Sequence, residues 1–325
     1  MSDKPVMDIA PFVIAPARLW DQSAPPDLPI AFVDLDTDTP WPDTWSAPPC
    51  PLVGLGDRSH PHAAALDAVI EPPVSAAGIA ALVARQSLAA QAFIALMRMH
   101  AGHGVARAAM LDAESLAYAA LQGSAAHRDW IAKMGPRDAG SEGTVRVERS
   151  HDILHVTLDR PTAGNAIDRA MRDALHEAFS LAADDPEIAR IVVRAVGRSF
   201  SLGADLAEFG TISDPALAHA IRARTLPARA LARFRGLVDC HVQGACVGAG
   251  LEIAAFASWI TASRDAWFHL PELAMGILPG AGGCWSLPRR IGRQRTALMV
   301  LSGRRIPARI AHQWGLVDAL VDDPV

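Results

Sequence analysis

The chain changes texture twice along its length. From residue 74 to residue 133 proline is absent, and apolar side chains such as Leu82, Phe93, Leu96 and Met97 recur at helical spacing in a background of alanine, leucine and methionine. These are strong helix formers, and that spacing lines one face of a helix with apolar groups, so two or three helices are predicted there. Beyond residue 143 short apolar strands alternate with helical stretches. Residues 144–147 and 153–158 read as a hairpin, 169–183 as a helix and 188–193 as a strand. A second round places strands at 238–242, 259–262 and 266–270, with helices at 248–256 and 281–291. Repeated strand–helix alternation argues for an α/β arrangement.

Residues 1–73 differ from both. They hold a dense share of the prolines, including Pro25-Pro26, Pro40, Pro42, Pro48-Pro49 and Pro51, around short apolar runs at 30–33 and 52–55. Strands joined by long turns are expected there. The polar, glycine-containing stretch 138–143 has the composition of a linker. The chain therefore divides into an irregular region 1–73, a helical region 74–137 and an α/β region 144–325.

With 325 residues, half of them hydrophobic, the chain can bury a large core. A net charge of -5 with interspersed signs gives no basic footprint for a phosphate backbone, so nucleic acid is not an expected partner. The longest uncharged run, residues 273–288, is interrupted by glycines and prolines and falls short of the roughly 20 apolar residues of a membrane span. No membrane association is expected. Met1 to Lys4 are polar or charged rather than the start of a secretory signal, which makes the cytoplasm the expected address. Cys50, Cys240, Cys246 and Cys284 lack paired metal-ligand spacing and read as small buried apolar residues; no metal and no separate cofactor are expected.

Three segments carry candidate chemistry. Ser199-Phe200-Ser201-Leu202-Gly203-Ala204-Asp205-Leu206 follows a strand, and Gly203 permits a sharp turn that aims the Ala204 amide at a ligand. By itself a Gly-x-Asp after a strand is more often an ordinary tight turn. Gly244-Ala245-Cys246-Val247-Gly248-Ala249-Gly250-Leu251-Glu252 sets small residues at a helix start, where unpaired N–H groups favour developing negative charge. Close helix packing is the alternative reading. Phe268-His269-Leu270-Pro271-Glu272-Leu273 places an acid at a strand end before the glycine-rich stretch 276–283. Alone, that glutamate would be a solvated loop residue.

In this order, and with Arg160-Pro161 and Asn165-Ala166-Ile167 after the first hairpin, the segments resemble the crotonase superfamily, the enoyl-CoA hydratase/isomerase family, over about residues 145–321. The resemblance implies a ββα spiral core with an additional helical domain. It implies that the amides of Ala204 and Ala249 form an oxyanion hole for a thioester carbonyl, and that Ala204, Asp205, Leu206 and Ala207 lie along the CoA moiety. The family often has glycine where Ala249 stands, but a backbone donor tolerates alanine. Glu252 and Glu272 match the acid pair of the hydratases, which add water across a 2-enoyl-CoA double bond. Glu252 is expected to hold and activate water and Glu272 to protonate Cα. Coenzyme A is then part of the substrate. The alternatives are another reaction on an acyl-CoA (double-bond isomerisation, C–C cleavage or thioester hydrolysis) and a non-catalytic acyl-CoA-binding subunit.

Family members continue past the position of Val321 with a helical tail that covers the site and builds trimers. Here the stretch from Val74 through Leu111-Asp112-Ala113-Glu114-Ser115 to His127-Arg128-Asp129-Trp130 resembles that tail, placed ahead of the core. Leu66-Asp67-Ala68-Val69-Ile70 also echoes Val317-Asp318-Ala319-Leu320-Val321, with a proline following each. A permuted or duplicated arrangement is expected, with residues 28–73 as a shrunken core relic; an unrelated helical adaptor is the alternative. The resemblance implies a homo-oligomer, a trimer or hexamer. His241 and His269 read as structural, Trp267, Trp285 and Trp314 as core or subunit-contact residues, and residues 209–220 as loops lining the acyl pocket.

Overall fold

A computed structural model of the chain describes residues 7–20, 28–37, 41, 46–100, 105–138 and 140–322. Pro25, Pro26, Pro40, Pro42, Met1 to Lys4 and the last residues of the C-terminal echo lie outside them.

The N-terminal region forms a parallel sheet of β1 (Val13–Ile14), β2 (Ala31–Asp34), β3 (Leu52–Leu55) and β4 (Ala68–Val69), in that order, with a helical turn α1 (Ala17–Trp20) after β1. The apolar runs at 30–33 and 52–55 supply β2 and β3. The two-residue strands β1 and β4 are too short to show a periodicity. Four helices follow where two or three are expected: α2 (Ala76–Val83), α3 (Ser87–Met99), α4 (Arg107–Gln122) and α5 (Ala125–Met134). Ser75 caps the start of α2 by accepting from Gly78 N, and Ser124, which accepts from His127 N, starts α5 as a helix separate from α4. Among the described residues no single helix is long and apolar enough to cross a membrane.

The main sheet begins with the antiparallel hairpin β5 (Thr144–Ser150) and β6 (Ile153–Asp159), then continues in parallel through β7 (Arg190–Ala195), β8 (Leu237–Val242), β10 (Trp259–Ser263) and β13 (Ala319–Val321). Along β6 the side chains of Leu154, Val156 and Leu158 are buried and alternate with half-buried ones, as one covered face requires. β5 is exposed, and Arg146, Glu148 and Arg149 give this edge the charges that discourage further pairing. A smaller sheet joins β9 (Ala245–Val247), β11 (Trp267–His269) and β12 (Ile306–Pro307).

Between strands lie α6 (Arg169–Asp184), α7 (Pro215–Thr225), α8 (Pro227–Arg233), α9 (Ala249–Ala254), α10 (Gly283–Ser302) and α11 (Ala308–Gln313). On α6, Met171, Leu175, Ala178, Phe179 and Ala182 form the buried stripe, and Asp168 caps its start by accepting from Met171 N at 2.9 Å. The stretch expected to be loop at 209–220 includes most of α7, which Asp214 caps and Pro215 opens. α10 runs past the expected end at residue 291 because the chain bends at Gly292, whose φ is 77°, and resumes helix on the other side. One contiguous cluster of buried side chains runs from Ile30 through Phe93 and Met110 to Val317, so the N-terminal sheet and helices share apolar packing with the α/β region.

The echo at Asp67 and Asp318 has a structural counterpart. Asp67 precedes β4; its N–H donates to Leu52 O and its carboxylate accepts from Leu52 N at 2.8 Å. Asp318 precedes β13, and it makes the same pair of bonds with Ile260, accepting from Ile260 N at 2.7 Å. Each aspartate also pairs with a helix arginine, Arg98 in one case and Arg290 in the other. In each case the strand so anchored lies at the end of its sheet and pairs in parallel with its neighbour.

Candidate active site

Two glycine turns meet at the centre of the α/β region. Ser201 bridges to Cys246 and Ala204 to Ile167. Gly203 has a φ of 90°, and a Cβ on it would stand 3.0 Å from Val247 O, so the two turns pack backbone against backbone. Around Ala204 the bonds Ile167 N to Gly203 O and Asp205 N to Ile167 O leave the Ala204 N–H facing away from Ile167. Ala249 is the first residue of α9, where an N–H has no acceptor within the helix. Both residues line the same cavity of about 340 Å³.

The Arg160–Ile167 stretch holds this frame in place. Asn165, at a φ of 55°, donates from Nδ2 to Val196 O and Ser199 O and accepts from Arg160 N. Arg160 is buried and pairs with Asp205 at 2.7 Å and Asp168 at 3.6 Å. Asp205 and Leu206 line the cavity, yet the Asp205 carboxylate is engaged by Arg160 and by the Ala207 N–H. Ala207, expected along the ligand, is not among the residues that line the cavity, and its N–H is spent on the Asp205 carboxylate.

Glu252 and Glu272 both line this cavity and are both buried. Glu252 Oε2 accepts from Ala281 N and Gly283 N, each at 2.7 Å. Burial pushes its carboxyl up to about 7, against the lowering effect of these amides. Glu272 opens a short 3-10 turn after Pro271 rather than a strand end or solvated loop. Its Oε2 is buried without a hydrogen-bond partner, and burial together with the charge of Glu252 holds its carboxyl well above the usual carboxylate range. Gly248, at a φ of 47°, makes room for it: a Cβ there would lie 2.7 Å from Glu272 Oε1.

A third carboxyl comes from the N-terminal helices. Glu114 on α4 is fully buried; Oε1 accepts from Gly282 N at 2.7 Å and Oε2 from Cys284 N at 2.8 Å. Burial, with the charge of Glu252 second, raises its carboxyl to about 8. One and two turns further along α4, Tyr118 and Gln122 line the cavity, and the Tyr118 ring packs on Gly280, where a Cβ would come within 2.2 Å of it. Arg222 of α7 stacks its guanidinium 4.5 Å from the Tyr118 ring centroid. Two backbone donors therefore face a cavity whose wall holds two carboxyls of raised proton affinity. Such an arrangement stabilises an enolate oxygen and moves protons at neighbouring carbons. Among the described residues no cluster of His, Cys, Asp or Glu is arranged to hold a metal ion.

A family profile described as Enoyl-CoA hydratase/isomerase matches residues 148–324, more than half of the chain. The chain belongs to that family. It is 39% identical over 171 residues to the 2,3-dehydroadipyl-CoA hydratase of Escherichia coli, a match covering 53% of this chain and 66% of the relative. It is 32% identical over 175 residues to the 1,2-epoxyphenylacetyl-CoA isomerase of the same organism, covering 53% of this chain and 67% of the relative. The solved structure of an enoyl-CoA hydratase from Thermoplasma volcanium superimposes with a TM-score of 0.50 at 36% identity, over 55% of this chain and 72% of that one. The chain thus spans about two thirds of the length of these relatives, within the α/β crotonase-type core.

Sequence reasoning singled out Ala204, Ala249, Glu252 and Glu272, and the structure brings all four to one cavity. It placed Glu114 only within a tail-like stretch and gave Tyr118 and Arg222 no role. The faint signal for Glu114 is an acid on the apolar face of a helix, since Met110, Leu111, Ser115 and Ala119 around it are buried too. His269 is structural as expected, with Nε2 against Gly303 O at 3.0 Å, and all four cysteines are free and buried.

Proposed function

We propose that the protein adds water reversibly to a 2-enoyl-CoA thioester. The observation that supports this best is the placement of Glu252 and Glu272 in one cavity wall with the Ala204 and Ala249 residues facing the same space. In this reading the two amides hold the thioester oxygen as it takes up enolate charge. Ionised Glu252 takes a proton from water as the water oxygen bonds to Cβ, and protonated Glu272 delivers its proton to Cα. The net change is one water added across the double bond, and a proton passed from Glu252 to Glu272 restores the pair. The environments favour these roles: Glu252 has backbone donors that stabilise its charge, whereas Glu272 has an oxygen with no donor at all.

Helices α2–α5 are proposed to cover the site in the way the family's helical tail does. Glu114, Tyr118 and Gln122 support this, because a helix from that block forms part of the cavity's surroundings. The matched anchoring of Asp67 and Asp318 supports a duplicated origin, with β2, β3 and β4 standing for β8, β10 and β13.

The test is incubation of purified protein with a short 2-enoyl-CoA, following loss of the conjugated chromophore and the mass of the product. Gain of one water by the wild type, and loss of most of the rate in Glu272→Gln, is the expected result. A product of unchanged mass would replace hydration with isomerisation, and full activity of Glu272→Gln would remove that residue from the mechanism.

A further inference from the structure

We propose that Arg222 recognises the far end of the acyl group, so that the site selects CoA thioesters whose acyl chain ends in a carboxylate; this rests on the acyl-CoA reading of the cavity. Arg222 lines the cavity and is half-buried. Its Nε donates to Ser115 Oγ at 3.2 Å, Nη1 to Gln122 Oε1 at 3.2 Å and Nη2 to Ser115 O at 3.3 Å. These contacts are long and go to neutral acceptors, and each terminal nitrogen carries a second N–H that they leave over. Among the described residues no carboxylate stands within ion-pair distance of it, whereas Arg172, which also lines the cavity, pairs with Asp173 at 2.7 Å.

The position of this cation relative to the acids identifies what it would meet. The guanidinium lies over Tyr118, the Tyr118 ring lies on Gly280, and the next residue, Ala281, gives its N–H to Glu252. Arg222 is thus one aromatic ring beyond the group that faces the reacting carbons, where the end of a short acyl chain arrives. The carboxyl that acts on this guanidinium, Glu114, does so from beyond ion-pair distance and spends both oxygens on the α10 turn, so a carboxylate that enters bearing two oxygens matches the donors Arg222 leaves unused. A purely hydrocarbon acyl tail would leave those donors unmet as water is expelled.

Calorimetry with saturated thioesters of equal chain length, hexanoyl-CoA and adipoyl-CoA, tests this without any turnover. The wild type is expected to bind adipoyl-CoA at least about tenfold more tightly, the worth of a charge-assisted hydrogen bond. Arg222→Met should bring the ratio to about one, and Arg222→Lys should keep part of it. Equal binding by the wild type, or an unchanged ratio in Arg222→Met, would leave Arg222 only as a strap between α7 and α4 and overturn the proposal. If Arg222→Met does not fold, the wild-type ratio and Arg222→Lys decide. A preserved ratio without enoyl-CoA hydration would defeat the hydratase reading alone, and failure to bind either thioester would defeat both.

Discussion

Glu114 and Glu252 accept the N–H groups of one turn in alternation: Glu252 takes those of Ala281 and Gly283, and Glu114 those of Gly282 and Cys284. The N-terminal end of α10 is thereby held by one carboxyl from the α/β region and one from the N-terminal helices. Because Oε2 of Glu252 is committed to this turn, any looseness of the turn becomes looseness of the carboxyl that faces the cavity.

Replacing Glu114 with Gln removes one of its acceptors and sets an amide NH2 against a backbone N–H. The cost of an unmet buried donor is about 1–3 kcal/mol, which translates to roughly a tenfold to hundredfold drop in kcat if it acts through Glu252. KM for an enoyl-CoA should change much less. Steady-state kinetics on a folded variant checks this, and an unchanged kcat would separate the turn from catalysis.

Stability should decline as pH rises. Glu114, Glu252 and Glu272 all have folded-state proton affinities above those of exposed carboxyls, so between the ordinary carboxylate range and about 8 the folded chain binds more protons than the unfolded one. The stabilisation from their protonation is complete at low pH and is lost as pH climbs through 7 to 8. Thermal melts from pH 5.5 to 8.5 should show Tm falling, with shallower steps above about pH 7 as Glu252 and then Glu114 ionise in the folded chain, and Glu114→Gln should fall less steeply. A Tm that rises across the window would contradict the sign.

Gly248→Ala should injure both fold and activity. The position has a φ of 47°, and the new Cβ would sit 2.7 Å from Glu272 Oε1. Strain of about 1–3 kcal/mol is expected from the backbone, and displacement of Glu272 by about an ångström should lower kcat about a hundredfold. Denaturant melts and kinetics on the same preparation measure the two effects separately.

Asp67→Ala should destabilise the N-terminal region more than Asp318→Ala destabilises the main sheet. Asp67 is 3% exposed and meets Arg98 through both oxygens, whereas the Asp318 side chain is 26% exposed. Breaking the more deeply buried pair is expected to cost about 3–5 kcal/mol. Equal losses in urea titrations would show that burial does not set the difference.

β5, β6, α6, β7, β8, α9, β10 and β11 were legible because each has its own local signature. β6 alternates, α6 carries a helical apolar stripe after an aspartate cap, and Gly203 and Gly248 mark the turns that bring Ala204 and Ala249 together. Other features had no such signature. β1 and β4 are two residues long, and the smaller sheet depends on the pairing of β11 with β9 and β12. α7 is rich in alanine and arginine with little apolar periodicity, so only its Asp214-Pro215 start marked it. The role of Glu114 was hidden for a further reason: its partners are 168 and 170 residues away along the chain.

What the amino-acid order settled alone was therefore local: which residues turn, which pair, which carry an acid, and the sequence of elements that places this chain in its family. The tertiary structure decided which of those acids are out of water and beside one another. Glu114 approaches Glu252 only because α4 folds back on α10, and the raised proton affinities of the three glutamates arise from desolvation, reinforced at Glu114 and Glu272 by the charge of Glu252. Those are effects of distance and surrounding medium in space, and neither is encoded in the identity of the neighbouring residues.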